Sequence, residues 1–362
     1  MIERYLNPEI NSIWDDQNKF DTWKLVQEKY VETLEELDVA ENGIAKKINQ
    51  SVVQKDEVYK QEEITNHDLA SFVDILQKKV GEGSNWIHYG LTSSDIVDTA
   101  NSVLIMQSLD YVKDLVNDLL STLQEKAVQE KDTSIIGRTH GVYAEETFLG
   151  NIFGNWHLEV ARGLNRLENS KNNISFGKLS GPVGNHSVVT SEMEKLTLEK
   201  LNLKPEQFAN QIVSRDRYAE VVSSLGILAS TYERIATNIR SYQRSEISEM
   251  FESFKDGQKG SSAMPHKKNP IGSERITGLA RIMRSYVSTS LENMVLWNER
   301  DISNSSVERI MLPDAFHLIS FMSTELNSIL KDLVINYEQI NICLYPQFDL
   351  QIAQALNLIF QV

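Results

Sequence analysis

From Thr92 to Thr133 the chain contains neither glycine nor proline. Across that stretch Ile96, Ala100, Val103, Leu104, Val112, Leu115, Val116, Leu119 and Leu123 recur every three or four residues, the spacing of one face of an α-helix. A helix of ~38 residues is ~57 Å long, far beyond the usual globular length. Its apolar stripe needs other helices to cover it. Ser93 or Ser94 can cap its start, with Asp95 and Asp98 in the first turn facing the positive end of the helix dipole.

Segments of the same texture follow. Glu145–Lys171 carries Phe148, Ile152, Trp156, Val160, Leu164 and Leu167, and Arg215–Phe254 carries Val222, Leu225, Leu228, Tyr232, Ile235, Ile239 and Tyr242. Ser273–Asn298 and Leu312–Leu333 complete the set. Ser175–Asn185 is irregular, and no run shows the alternation of a sheet. Residues 1–90 read as short helices joined by turns. The expected fold is all-α. A small N-terminal helical domain (1–91) precedes a central bundle of very long helices (92–341) and a divergent or truncated tail (342–362).

A net charge of −15 argues against nucleic acid or an anionic membrane as partner. An anionic substrate would need a local cluster of cations. The one cysteine, Cys343, excludes an intrachain disulfide. The N-terminus has no apolar core of a signal peptide, and no apolar run approaches ~18 residues. A cytoplasmic protein is expected.

Five polar stretches punctuate the helices. Gly257–Pro270, GQKGSSAMPHKKNP, concentrates glycines, prolines, hydroxyls and cations that no helix can hold. Such a loop can close over a small anion. Asn66-His67-Asp68 marks a helix start. Residues 86–95, WIHYGLTSSD, bring a histidine and three hydroxyls to a helix N-terminus, where free N–H groups bind anions. GRTHG at 137–141 sits between two long helices. Trp297–Asp301, with Ser305 and Arg309 beyond, offers two arginines for a phosphate or carboxylate. No HExxH, paired-cysteine, EF-hand, Rossmann or P-loop pattern is present. No metal site is expected.

SSAMPHKKNP resembles the loop of the aspartase/fumarase superfamily, lyases that release fumarate. Within it, Arg4-Tyr5, HYGLTSSD at 88–95, GRTHG, Gln211 with Arg215-Asp216-Arg217, and ERDISNSS at 299–306 are similar to the adenylosuccinate lyase family. That resemblance runs to about Asn341 and implies a β-elimination that cleaves a C–N bond in a nucleotide substrate without a cofactor. It implies Ser261 as general base, His140 as general acid oriented by Glu274, and Lys267 and Asn269 holding the succinyl carboxylate. His67, Asp68, His88, Thr92, Ser93 and Gln211 would line the site. Arg4, Tyr5, Arg300, Ser305 and Arg309 would hold the nucleotide and its phosphate. A homotetramer with active sites shared between subunits is implied as well.

Three departures stand out. The family usually has Arg at Asn66 and Thr-Tyr-Ala at Asn185-His186-Ser187. After about Ile342 the similarity ends, so the family's C-terminal helical domain is expected to be missing. Two alternatives therefore stay open: an inactive remnant serving as a helical assembly module, or a different fumarate-releasing lyase.

Overall fold

The computed structural model describes residues 1–344, apart from Lys255, Asp256, Gln258, Lys259, Ser262, Pro265 and His266, together with Ile352 and residues 356–360. The tail expected over 342–362 therefore lies largely outside the described residues. A 3-10 turn at Glu3–Tyr5 leads into α1 (Pro8–Trp14), α2 (Asp16–Glu36), α3 (Ile44–Gln50), α4 (Lys55–Thr65) and α5 (Asp68–Val80). Then come α6 (Ser93–Gln129), the strands β1 (Ser134–Thr139) and β2 (Val142–Phe148), and α7 (Leu149–Ile174). Next follow β3 (Phe176–Gly177), α8 (Ser191–Lys200), β4 (Lys204–Pro205), α9 (Arg215–Tyr242) and β5 (Met250–Phe251). The last are α10 (Ile271–Glu292), α11 (Ser303–Lys331), β6 (Val334–Ile335) and α12 (Tyr337–Leu344).

The chain is mostly helical. The long α6 runs for 37 residues, and Ile96, Ala100, Leu104, Val112, Val116, Leu119 and Leu123 of its stripe are buried. Helix starts follow local chemistry. Asn7 accepts hydrogen bonds from the Glu9 and Ile10 N–H groups at 3.0 and 3.1 Å, with Pro8 at the first helical position of α1. Asp15 caps α2 in the same way.

The expectation of a purely helical chain is corrected by three two-stranded sheets, β1–β2, β3–β4 and β5–β6. The first is an antiparallel hairpin whose register Thr139↔Val142 leaves His140-Gly141 as a two-residue turn. Both turn residues have positive φ, +56° and +77°, as the twist-matched type I′ turn requires. Most of β2 is exposed, so it lacks the apolar alternation that marks a strand in sequence. The helix expected from Glu145 therefore begins only at Leu149. The one expected through Phe254 stops at Tyr242. α11 begins at Ser303 rather than Leu312 and runs through Pro313, a residue that favours a helix start.

Two compact units draw on three chain stretches each. One comprises Met1–Tyr111, Leu167–Ser224 and Tyr286–His317. Its core includes Phe20, Trp23 and Phe72, whose ring centroids lie 5.2–6.0 Å apart, with Tyr30, Leu34 and Leu76 buried in the same cluster. Burying each large apolar side chain contributes about 1.5–3 kcal/mol. The other comprises Val112–Arg166, Leu225–Ser285 and Leu318–Val362. There Phe153 and Trp156 pack edge to face at 5.3 Å, and Tyr232 bonds Ser323 at 3.0 Å.

The hairpin and α7 are seated on the end of α6. The Gly150 N–H donates to the Glu130 carbonyl at 2.9 Å. A Cβ at Gly150 would stand 2.6 Å from the Ala127 carbonyl oxygen and 2.7 Å from the Lys131 Cα. Gly154, one turn later, faces open space. Gly150→Ala should thus cost roughly 1–3 kcal/mol through forced backbone displacement. Gly154→Ala should gain roughly 0.5–1 kcal/mol from helix propensity. Urea unfolding of the two variants checks the contrast, and equal effects would contradict the seating of α7.

Candidate active site

The first unit contains a cavity of about 570 Å³. Its polar wall is assembled from four places in the chain. The α5 start contributes His67 and Asp68, and the α6 start contributes Thr92, Ser93 and Ser94. The 211–215 turn and the 300–309 stretch supply Gln211, Arg300, Ser305 and Arg309. Trp14, Phe20, Trp23 and Tyr59 add aromatic side chains to the lining, with Lys19 bonded to Asp16 at 2.6 Å. A cavity of this size, with convergent cations and hydroxyls, suits a small anionic molecule.

Local hydrogen bonding fixes these groups. The His67 side chain caps α5, its Nδ1 accepting from the Ala70 N–H at 3.4 Å, while Nε2 lies 3.4 Å from the Ser93 hydroxyl. Arg309 donates to Asp68 at 2.5 Å. Asp301 accepts from the Ser303 and Trp297 N–H groups at 2.9 Å each, and the bonds from Ser303 and Trp297 pull its carboxyl down to about 2. It thereby pins the stretch that carries Arg300.

Beneath the polar wall lies a buried ionic network that the sequence did not reveal. Arg215 is 5% exposed, and Asp98 and Glu308 are 2% and 6% exposed. The guanidinium donates to Asp98 at 2.6 and 3.0 Å and to Glu308 at 2.7 and 3.0 Å, joining α6, α9 and α11. Asp98 also accepts from the Val213 N–H at 2.8 Å. A second buried pair, Lys178 with Asp95, anchors the turn before α6. The Thr92 N–H donates to Asp95 at 2.8 Å, and the Gly181 carbonyl accepts from Lys178 at 2.9 Å. Asp95 and Asp98 are therefore buried ion-pair partners, in addition to the helix-dipole role expected of them.

Three of the expected ligand residues stand apart from the cavity lining. Arg4 and Tyr5 form the 3-10 turn at the N-terminus, and His88 is tied to α2. The Gln27 amide oxygen accepts from the His88 N–H at 3.0 Å while its nitrogen donates to His88 Nδ1, also at 3.0 Å. The departures from the family pattern have structural roles as well. Asn66 closes α4 in the left-handed conformation at φ +51°, where asparagine is better tolerated than arginine. His186 bonds the Val189 carbonyl at 3.0 Å and sits 3.7 Å from Glu194, closing its own loop.

The second unit holds the remaining expected residues. His140 is exposed at the tip of the β1–β2 hairpin. GRTHG is thus a strand and hairpin turn rather than an interhelical loop. Arg138 clamps the hairpin, donating at 2.7 Å twice to the fully buried Glu249 and lying 5.0 Å from the Tyr143 ring centroid. Ser261 Oγ accepts from the N–H groups of Ala263 and Met264 at 3.3 and 3.1 Å. Asn269 donates to the Gly260 carbonyl at 2.7 Å. A depression here is lined by Arg240, Gln243, Arg244, Lys267, Asn269 and Glu274. Glu252, which sequence reading passed over, takes the Gly272 and Ser273 N–H groups at 3.2 and 2.7 Å and so caps α10 below Glu274. Among the described residues no hydrogen bond or ion pair joins His140 to Glu274. The expected closure of Gly257–Ala263 rests partly on Gln258, Lys259 and Ser262, which lie outside the described residues.

Burial of His88 pulls its pKa down to about 4. Its ordinary value of ~6.5 applies in the unfolded chain. The unfolded state then binds the extra proton first, so stability is full above pH ~6.5 and falls as pH drops toward ~4. His88→Asn, which tolerates the φ of +63°, should remove that dependence. Urea unfolding at pH 7 and pH 5 should show wild type losing up to about 2 kcal/mol more than the variant. Parallel losses would contradict a neutral, half-buried His88.

Comparison with known proteins was made against families, sequences and solved structures. A family model described as Lyase matches residues 18–284. The adenylosuccinate lyase of Thermotoga maritima is 43% identical over 340 residues, covering 94% of this chain and 79% of that protein. The adenylosuccinate lyase of Bacillus subtilis is 42% identical over 336 residues, covering 92% of this chain and 78% of that protein. Among solved structures, a 3-carboxy-cis,cis-muconate lactonizing enzyme from Pseudomonas putida superposes with a TM-score of 0.88 at 22% identity, covering 99% of this chain and 83% of the other. A fumarate lyase from Mesorhizobium sp. BNC1 gives 0.86 at 20% identity, covering 95% and 79%. At these identities the structures establish the fold alone. The expectation of a missing C-terminal domain is not supported, because the relatives match across 92–94% of this chain. Sustained identity of this kind, with the family model matched over most of the chain, means that the chain belongs to the adenylosuccinate lyase family of the aspartase/fumarase superfamily.

Proposed function

We propose that this protein is an adenylosuccinate lyase, a C–N lyase of purine biosynthesis. It releases fumarate from adenylosuccinate, leaving AMP, and from the succinyl-carboxamide ribotide, leaving the free carboxamide. The observation that carries the reading is the cavity in which Arg300, Ser305 and Arg309 stand with His67, Thr92 and Gln211. The arginines suit the phosphate of a nucleotide, and local cations offset the chain's acidic field.

In this mechanism Ser261 takes the proton from the succinyl carbon next to a carboxylate. The electron pair left on that carbon forms the new double bond as the C–N bond breaks. His140 returns a proton to the departing nitrogen. A serine hydroxyl is a weak base until its oxyanion is stabilised. The Ala263 and Met264 N–H groups already aimed at Ser261 Oγ supply that stabilisation. Lys267 and Asn269 hold the succinyl carboxylate and the carbanion-like intermediate, and Glu274 orients His140.

The active form is a cytoplasmic homotetramer. The His67/His88, His140 and Ser261 regions of each site come from different subunits, with Arg4 and Tyr5 joining the phosphate site in the assembly. The exposed His140, with no bond to Glu274 in one chain, supports this arrangement, as do the long apolar helices that favour closed oligomers. No described helix is long and apolar enough to cross a membrane.

Fumarate release from adenylosuccinate, followed by ultraviolet absorbance, tests the activity. A stable assembly without turnover would favour an inactive remnant. Ser261→Ala and His140→Asn should each lower turnover by on the order of 10²–10⁴ with folding intact. Near-parental turnover in Ser261→Ala would transfer the base role to Ser262. The shared site predicts complementation. The two variants, dissociated and reassembled together, should regain up to roughly a quarter of parental activity by random mixing. Hybrid tetramers as inactive as their parents would refute sharing between subunits.

A further inference from the structure

Arg300 is a cavity cation held in place by three neutral partners. Its Nε donates to the Asn304 amide oxygen at 3.3 Å, and its NH1 donates to Ser94 Oγ and to the Gln211 amide oxygen at 3.2 Å each. Its NH2 has no hydrogen-bond partner among the described residues. The bonds beyond Asn304 form a closed circuit. The Asn304 nitrogen donates to Glu308 at 3.1 Å. Glu308 is fixed by Arg215, and Arg215 by Asp98. Asp98 takes the Val213 N–H, two residues from Gln211, and Gln211 returns to Arg300.

The side chain at position 304 closes this circuit only if it accepts from one partner and donates to the other. The Arg300 guanidinium can only donate and the Glu308 carboxylate, when ionised, can only accept, so the bridging group must do both. A carboxylate at 304 would satisfy Arg300 but oppose Glu308. An alkyl side chain would satisfy neither. Asn304 is 1% exposed although it borders the cavity, so water cannot readily replace it.

We propose that Asn304 is a positioning residue that transfers the rigidity of the buried Asp98–Arg215–Glu308 network to Arg300, turning the NH2 toward the phosphate of the substrate. This role rests on the lyase reading above. The phosphate is remote from the bond being broken, so its hold stabilises the bound substrate and the transition state alike. Loss of uniform binding raises KM and leaves kcat.

The test is the steady-state kinetics of Asn304→Ala, Arg300→Ala and the double variant with adenylosuccinate. Asn304→Ala should raise KM by about tenfold or more, the worth of a hydrogen bond to a charged group. Its kcat should stay within about threefold of wild type. In the Arg300→Ala background the same change should alter KM by less than about twofold, because the two residues act as one. A merely structural asparagine would multiply the two defects, and that result, or an unchanged KM in Asn304→Ala, overturns the proposal. Melting curves check folding. If Asn304→Ala melts far below wild type, Asn304→Ser takes its place, since its shorter hydroxyl cannot span both partners. Wild-type turnover with an Arg300→Ala defect and multiplying effects would sink the positioning role alone. Absent wild-type turnover would sink the lyase reading and this role together.

Discussion

One guanidinium held between two carboxylates organises the cavity-bearing unit. Arg215 reaches Asp98 and Glu308 through four bonds of 2.6–3.0 Å and also lies 4.4 Å from the Tyr218 ring centroid. Desolvating three charges is expensive, so such a network adds little net stability compared with well-packed apolar residues. Removing one member is another matter, costing about 3–5 kcal/mol because a buried charge is left unpaired. The network therefore acts chiefly as a geometric constraint. It ties the starts of α9 and α11 to the first turns of α6, and Ser93, Ser94, Gln211, Arg300, Ser305 and Arg309 of the cavity lining lie on or beside those three points.

The same strategy recurs on a smaller scale. Lys178 and Asp95 anchor the turn that presents Thr92. Arg138 and Glu249 anchor the hairpin that presents His140. Glu252 anchors the start of α10 that presents Glu274. In each case a buried carboxylate holds the segment that carries the candidate residue. Held in advance, such groups lose little order on binding and need little rearrangement as charge develops.

Much of the scaffold was legible because its signal is local. The stripe from Ile96 to Leu123 repeats at helical spacing, and a repeating stripe of that length has one stable solution. The hairpin at 134–148 was not legible, because β2 is largely exposed and carries no burial pattern. The polar stretches of the candidate site were legible by type. Thr92, Ser93, Gln211, Arg300, Ser305 and Arg309 do meet at one cavity. Arg4, Tyr5 and His88 do not line it, since a motif specifies residues without specifying where the fold places them.

The sequence by itself determined the long helices and the helix start at Asn66-His67-Asp68, because each depends on neighbours within a few residues. Only the tertiary structure decided that Asp98 and Asp95 turn inward. Their partners lie 117 and 83 residues away in the chain, at Arg215 and Lys178. Asp98 also sits in the same first turns where an acidic residue satisfies the helix dipole from solvent. Local chemistry permits both positions equally, and the choice between them falls to whichever distant cation the fold brings within reach.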